Sequence, residues 1–239
     1  MERTSCKMHH VPIVGTIPMT MIDYPGKTAA VLFTKGCPWN CRYCHNQTCK
    51  DANAQDIMPI DSIETFLDDR VGFLDGIVVS GGEPTIHPTL PVFLERIKGR
   101  GYQVALHTNG SNPDMMLLLI RCGLVDFIAM DVKAPPALYE RITGYPNAGA
   151  KASRSITAIL SSGVDYEFRT TYHPCLMTER DLMDTVKAVY SAGGRRYFVQ
   201  RFQTQGVEDE ELVGYGEVSD VPGSIVEEAS KLFDVFEVR

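Results

Sequence analysis

The stretch GIVVSGGEPTIHPTLPVFLERIKGRGYQVALHTNG, residues 76–110, carries the pattern that decides the fold. Gly76-Ile77-Val78-Val79-Ser80 is a short β-branched run, the composition of a buried strand. The glycine pair Gly81-Gly82 and then Glu83-Pro84 end it. Leu90 to Lys98 places apolar residues on one helical face. Residues 102–107 form a second apolar run, closed by Asn109-Gly110. Strand, helix, strand is the repeating unit of a parallel sheet with right-handed crossovers.

The same alternation continues on both sides. Upstream, Ala29 to Thr34 reads as a buried strand, and Asp61-Ser62-Ile63-Glu64 as a capping box opening a helix to about Arg70. Downstream, 113–122 fits a helix with proline at its start and Gly123 after it. Residues 126–131, 166–172 and 196–200 read as further strands, separated by helices over 153–162 and 178–192. Six strands joined through helices fall short of the eight units, about 250 residues, of a closed barrel. The expected fold class is α/β, a partial (β/α)6 barrel of parallel strands open on one side. Residues 1–239 are expected to form a single domain. Its barrel core spans about 28–202, with an N-terminal edge hairpin over about 11–24. An acidic extension, 207–239, would add a short helix and an edge strand over Val235 to Val238.

The chain has 239 residues, 30 acidic against 23 basic side chains and a net charge of -7. Hydrophobic content of 44% and charged content of 22% exclude a disordered, collagen-like or coiled-coil chain. Residues 207–239 hold ten acidic and two basic side chains, so the rest of the chain is nearly neutral. An acidic protein lacks the basic surface that nucleic acid requires, and the tail reads as a solvated face. No apolar run reaches the 18 or so residues of a membrane helix. MERTSCKMHH lacks the apolar core of a signal peptide. The expected setting is cytoplasmic, with neither nucleic acid nor membrane as partner.

Seven cysteines, an odd number without a secretory signal, argue against a disulfide framework. Cys6, Cys122 and Cys175 are scattered and read as structural thiols. Cys37, Cys41 and Cys44 crowd together as C-x3-C-x2-C. Thiolates are soft ligands for zinc or iron–sulfur. Zinc with Cys49 or His45 as fourth ligand remains open, although no paired knuckle is present. The other reading is a four-iron cubane held at three corners, with its fourth iron free for a substrate.

Active sites of parallel α/β folds lie at the carboxyl ends of the strands. The cysteines follow the first strand, and Gly81-Gly82-Glu83-Pro84 the second. His107-Thr108-Asn109 follows the third, and Asp131-Val132-Lys133 the fourth. Asp131 and Lys133, two apart, point to one face. The fifth strand carries Arg169, whose buried guanidinium requires an anion from the protein or a ligand.

On these motifs, the chain resembles the radical S-adenosylmethionine (SAM) superfamily. Within it, the chain resembles activating enzymes of glycyl radical enzymes, and most of all those of anaerobic ribonucleoside-triphosphate reductases. The further matching pieces are Ile22-Asp23-Tyr24-Pro25-Gly26-Lys27, Cys44-His45-Asn46, Thr108-Asn109-Gly110, the stretch AMDVKAPP at 129–136, Thr143-Gly144 and Glu167-Phe168-Arg169-Thr170-Thr171. The resemblance implies that Cys37, Cys41 and Cys44 hold a [4Fe-4S] cluster whose open iron is chelated by SAM. Gly81, Gly82 and Glu83 would hold the SAM amino group, and Lys133 and Arg169 would face its carboxylate. Asp131 and Thr108 would support the site, and Tyr43 would pack by the adenine. Reductive cleavage of SAM would yield a 5′-deoxyadenosyl radical that abstracts hydrogen from a glycine of the partner. That partner would be anaerobic ribonucleotide reductase, with a donor such as flavodoxin or ferredoxin supplying the electron. Activation of a pyruvate formate-lyase-like enzyme, and action on a small molecule or peptide, are the alternatives. A non-catalytic zinc or electron-transfer protein is the remaining one. Relatives carry an acidic residue at a monovalent-cation site where this chain has His107.

Overall fold

The computed structural model describes residues 10–50, 56–218 and 220–239. Cys6 lies outside the described residues. One sheet organises the chain, with β1 (Ile13–Thr20), β2 (Ala29–Thr34), β3 (Gly76–Gly81), β4 (Gln103–Thr108), β5 (Phe127–Asp131), β6 (Asp165–Tyr172), β7 (Arg196–Arg201) and β8 (Val235–Val238) side by side in chain order. β1 runs antiparallel to β2, and every later pair is parallel. Between the strands run α1 (Gln47–Lys50), α2 (Ile60–Asp68), α3 (Leu90–Lys98), α4 (Pro113–Arg121), α5 (Tyr139–Thr143), α6 (Ala148–Leu160) and α7 (Glu179–Ser191). α8 (Glu210–Tyr215) and α9 (Gly223–Leu232) lead into β8.

The sheet ends at β1 and β8 and does not close on itself, so the barrel is partial and open. The six expected parallel strands are β2 to β7, and β8 is the edge strand read in the tail. The N-terminal edge element is a single strand whose hairpin partner is β2. Among the described residues no helix is long and apolar enough to cross a membrane.

Alternation along each strand divides the core in two. Leu32, Val79, Leu106, Ile128 and Val199 face outward and pack beneath the helices against Leu67, Leu94, Leu119 and Val186. Each such buried side chain contributes about 1.5–3 kcal/mol. Val31, Val78, Ala105, Phe127 and Ala129 face inward with Tyr24 and form a second, smaller cluster. Tyr24 stacks on Phe127 with ring centroids 5.6 Å apart. A Cβ on Gly76 would come within 2.9 Å of the Tyr24 ring, so glycine makes room for this plug. Small inward residues keep the inner face open farther along, where Phe33, His107, Asp131 and Arg169 continue the same parity.

Two local expectations differ from the structure. The capping box at Asp61 does not form: α2 starts at Ile60, with Pro59 before it and no side-chain cap. Glu64 instead pairs with Arg96 at 2.9 Å and with Arg100 at 2.5 Å, ion pairs that outweigh a local cap. A reciprocal box does form where Thr178 opens α7 and Asp181 answers it. α6 starts at Ala148, well before 153, because Asn147 takes a left-handed conformation there (φ 58°).

Candidate active site

The loops after β2 to β5, with β6 and β7 behind them, enclose one cavity of about 270 Å³. Its walls contain Cys37, Cys41, Tyr43 and Cys44, then Gly81 and Gly82, then Thr108, and then Asp131, Lys133 and Arg169. Every residue expected at the site is therefore brought together except Glu83. Trp39, Asp23, Asn109 and Gln200, to which the sequence assigned no role, join them.

The cysteine loop is held by backbone bonds. Gly36 N–H donates to the Cys49 carbonyl at 2.6 Å, Asn40 N–H to Thr143 at 2.7 Å and Cys44 N–H to Cys41 at 3.2 Å. Cys37, Cys41 and Cys44 are all free thiols. Burial pushes the Cys37 thiol up to about 12 and raises that of Cys41 as well. Such thiols become ligands by exchanging the proton for a metal cation. Among the described residues no three His, Cys, Asp or Glu side chains converge as a single-ion site requires. One zinc needs all its donors about 2.0–2.3 Å from one centre, whereas a cubane offers each thiolate its own iron. The additional zinc donors are also engaged elsewhere. Cys49 lines a different cavity with Val14 and Phe33, and His45 Nδ1 lies 3.1 Å from the Gln205 carbonyl. Cys122 and Cys175, read as structural thiols, are exposed.

Two buried polar atoms in the wall have no protein partner: Trp39 Nε1 and Tyr43 Oη. Buried donors are nearly always paired, so these two are exceptions among the residues that line the cavity. With three free thiols beside them, the residues fit a cluster together with an organic cofactor.

Gly81 and Gly82 are required by sterics. A Cβ on Gly81 (φ +111°) would stand 2.3 Å from the backbone of Thr34. One on Gly82 would stand 2.2 Å from the Gly36 carbonyl. The pair is stitched between strand ends, Gly82 N–H donating to Thr34 at 2.9 Å and Glu83 N–H to Gly36 at 2.8 Å. Glu83 itself is fully buried behind the wall. Its carboxylate accepts from Thr85 N–H (3.0 Å), Thr85 Oγ1, Thr108 Oγ1 (2.8 Å) and Asn109 N–H (2.6 Å). Four donors occupy the roughly four lone-pair sites of a carboxylate. Burial holds its pKa above the ordinary value despite these bonds. Glu83 thus braces the loop after β4 rather than facing the cavity.

Charge on the opposite wall is paired. Lys133 Nζ lies 2.7 Å from Asp131 and 5.4 Å from the centre of the Tyr43 ring. Burial works against both charges. Their mutual attraction prevails, holding the Asp131 carboxyl below and the Lys133 ammonium well above their ordinary values. The anion that Arg169 requires is Glu167, fully buried and 2.5 Å from Nε. Arg239, at the end of the chain, reaches the same carboxylate at 3.2 Å. Glu167 stands two residues before Arg169 on β6, the same spacing that marked Asp131 and Lys133. That spacing was the signal available for it in the sequence. His107 donates from Nε2 to the Asp23 carbonyl at 2.9 Å. Burial, with Arg169 nearby, depresses its pKa to about 3, so the ring is neutral. The site therefore presents three thiols, the backbone of two glycines and two basic groups, each already paired with an acidic neighbour.

A model of the radical SAM superfamily matches residues 31–189. A protein of Methanocaldococcus jannaschii, provisionally named a glycyl-radical enzyme activating enzyme, is 33% identical over 205 residues, 84% of this chain and 83% of its own. A 7-carboxy-7-deazaguanine synthase of Methanopyrus kandleri is 27% identical over 132 residues, 47% of this chain and 52% of its own. A pyruvate formate-lyase-activating enzyme of Staphylococcus aureus is 29% identical over 152 residues, 59% of this chain and 58% of its own. Streptococcus suis SuiB bound to S-adenosylmethionine superposes with a TM-score of 0.63 at 12% identity, over 85% of this chain and 48% of that one. That likeness concerns the fold, and this chain spans about half the length of SuiB.

Proposed function

We propose that this chain, which belongs to the radical SAM superfamily, generates a glycyl radical on a partner enzyme, foremost an anaerobic ribonucleotide reductase. The chain is an enzyme that uses a [4Fe-4S] cluster and SAM, and it cleaves SAM reductively. The observation that carries the proposal is the reach of the similarity to the M. jannaschii protein. It covers 84% of the chain, well beyond the cofactor motifs common to the superfamily. The matching pieces from Ile22 to Thr171 support the reductase as partner.

Cys37, Cys41 and Cys44 would hold the cluster, which would supply one-electron reduction of SAM, and the cofactor pair would provide the radical chemistry. The rest falls to this chain's residues. The backbone of Gly81 and Gly82 receives the amino end of SAM. Lys133 and Arg169 attract its carboxylate, each pre-oriented by an acidic neighbour, Asp131 and Glu167. Tyr43, in the cavity wall, packs by the adenine. Glu83 braces Thr108 and Asn109, so its role lies in positioning. The open edge between β1 and β8 admits a polypeptide loop. A flavodoxin or ferredoxin is the proposed electron donor.

A second reading, action on a small molecule, is favoured by the similarity to the M. kandleri synthase. One experiment separates the two. The reconstituted, reduced protein is mixed anaerobically with SAM and the reductase. Electron paramagnetic resonance then reads the protein radical, while 5′-deoxyadenosine is counted. A glycyl doublet whose spins track 5′-deoxyadenosine supports the activator. No protein radical on the reductase or on a pyruvate formate-lyase-like enzyme, with 5′-deoxyadenosine released only when a small substrate is added, overturns it.

A further inference from the structure

We infer that Asn109 tunes the reduction potential of the cluster by donating a side-chain N–H to the Cys37 sulfur. The inference rests on the cluster reading above. Asn109 Nδ2 lies 3.5 Å from Cys37 Sγ, within reach of a sulfur acceptor. The amide has one orientation. Ser111 N–H donates to Asn109 Oδ1 at 2.8 Å, which turns the oxygen away and leaves Nδ2 toward the sulfur.

The backbone is held equally firmly. Asn109 N–H donates to Glu83 Oε2 at 2.6 Å, and Thr108 Oγ1 donates to Glu83 Oε1 at 2.8 Å. Gly110 (φ +74°) turns the chain immediately afterwards, where a Cβ would meet Met130 at 2.3 Å. The Gly110 carbonyl accepts from Ser155 Oγ at 2.8 Å. Asn109 is only 6% exposed. An amide that is buried, oriented on its oxygen side and tied through its own backbone acts as a preorganised donor. In a low dielectric such a donor is strong.

The chemistry gives the direction. Reduction adds negative charge to the cluster and its thiolates. An N–H aimed at a ligand sulfur stabilises the reduced form more than the oxidised one, which raises the potential. Aspartate here would remove the donor and add charge of the wrong sign. The chain from Glu83 through Asn109 to Cys37 thus connects the Gly-Gly-Glu-Pro loop to the cluster. It makes the centre easier for an external donor to reduce.

The test is an equilibrium redox titration of the reconstituted holoprotein without SAM, read by electron paramagnetic resonance. Asn109→Ala should move the midpoint to a more negative potential, and Asn109→Asp farther in the same direction, at undiminished iron content. An unmoved midpoint in Asn109→Ala with full iron overturns the inference. Should that variant lose its iron, the wild-type holoprotein carrying 15N in asparagine side chains is read by pulsed resonance instead. Hyperfine coupling from a side-chain 15N supports the bond, and its absence overturns it. A wild-type protein that never assembles a four-iron cluster would overturn the cluster reading instead.

Discussion

Arg42, between the second and third cysteines of the motif, grips Asp209 with two parallel bonds, Nε to Oδ2 at 2.6 Å and Nη2 to Oδ1 at 2.9 Å. Nη2 also donates to Glu211 at 2.7 Å. On the other side of Cys44, His45 meets the Gln205 carbonyl at 3.1 Å, and its ring lies 5.8 Å from that of Phe202. A Cβ on Gly206 would come within 2.3 Å of the His45 carbonyl, so the two backbones are in close contact. The acidic extension, read in the sequence as a solvated face, begins as a strap across the cysteine loop. Exposed ion pairs contribute about 0–1 kcal/mol, and a bidentate pair with a second carboxylate belongs at the upper end. Arg42→Ala should therefore release iron to a chelator about fivefold faster, the factor that ~1 kcal/mol sets. Because about 1 M salt shortens electrostatic reach to about 3 Å, it should narrow the difference. Equal release rates in the two proteins would make the strap a passive contact.

Lys133→Met should weaken SAM binding by about ten- to a hundredfold, the ~1.5–3 kcal/mol of a bond to a charged group. Asp131, left unpaired beside the incoming carboxylate, adds to the loss. The double variant Lys133→Met, Asp131→Asn should recover part of it. Iron content should stay at the wild-type value in both. Equilibrium dialysis with labelled SAM checks this, and unchanged affinity would reduce Lys133 to an ordinary ion pair.

Gly82→Ala should cost about 3 kcal/mol, the upper range for forcing a methyl into filled space. Its Cβ would meet the Gly36 carbonyl at 2.2 Å, and that carbonyl is fixed by the Glu83 N–H. Gly26 is the control: its φ is +70° with nothing within 4 Å of a new Cβ. Gly26→Ala should cost about 1–2 kcal/mol from backbone conformation alone. Urea unfolding of both variants in the metal-free protein measures the difference. Equal costs would remove the steric argument for the pair.

His107 makes the fold acid-sensitive. Its folded pKa of about 3 lies below the ordinary value of about 6.5. Between these values the unfolded chain takes up a proton that the folded one refuses. Stability from this residue is therefore present above pH ~6.5 and lost as the pH falls toward about 3. His107→Gln should flatten that arm of the stability curve. Urea midpoints collected from pH 7 down to pH 4 test it; two parallel curves would rule it out.

The same position bears on cation dependence. Asp131 already faces the Lys133 ammonium at 2.7 Å, and His107 is neutral. SAM affinity should not change when sodium is exchanged for potassium. His107→Asp places a further carboxylate there and should introduce a dependence. Titrations in the two salts, on both proteins, provide the check.

What the sequence by itself determined is local. Short β-branched runs and 3.6-residue periodicity located β2 to β7 and most of the helices, because burial repeats along each element. The C-x3-C-x2-C spacing and the glycine pair are likewise contiguous, so their chemistry could be read without a fold. Tertiary structure decided the pairing of charges and the direction of buried groups. Glu83 turned away from the ligand wall because four donors, two of them from the end of β4 and the residue after it, surround it. Glu64 abandoned a local cap for Arg96 and Arg100 on the neighbouring helix and the turn after it. Arg239 reached Glu167 from the far end of the chain, and Asp209 reached Arg42 across most of the sheet. A carboxylate binds whichever donors the fold brings within about 3 Å. Composition and spacing leave that distance undetermined until the strands are in register.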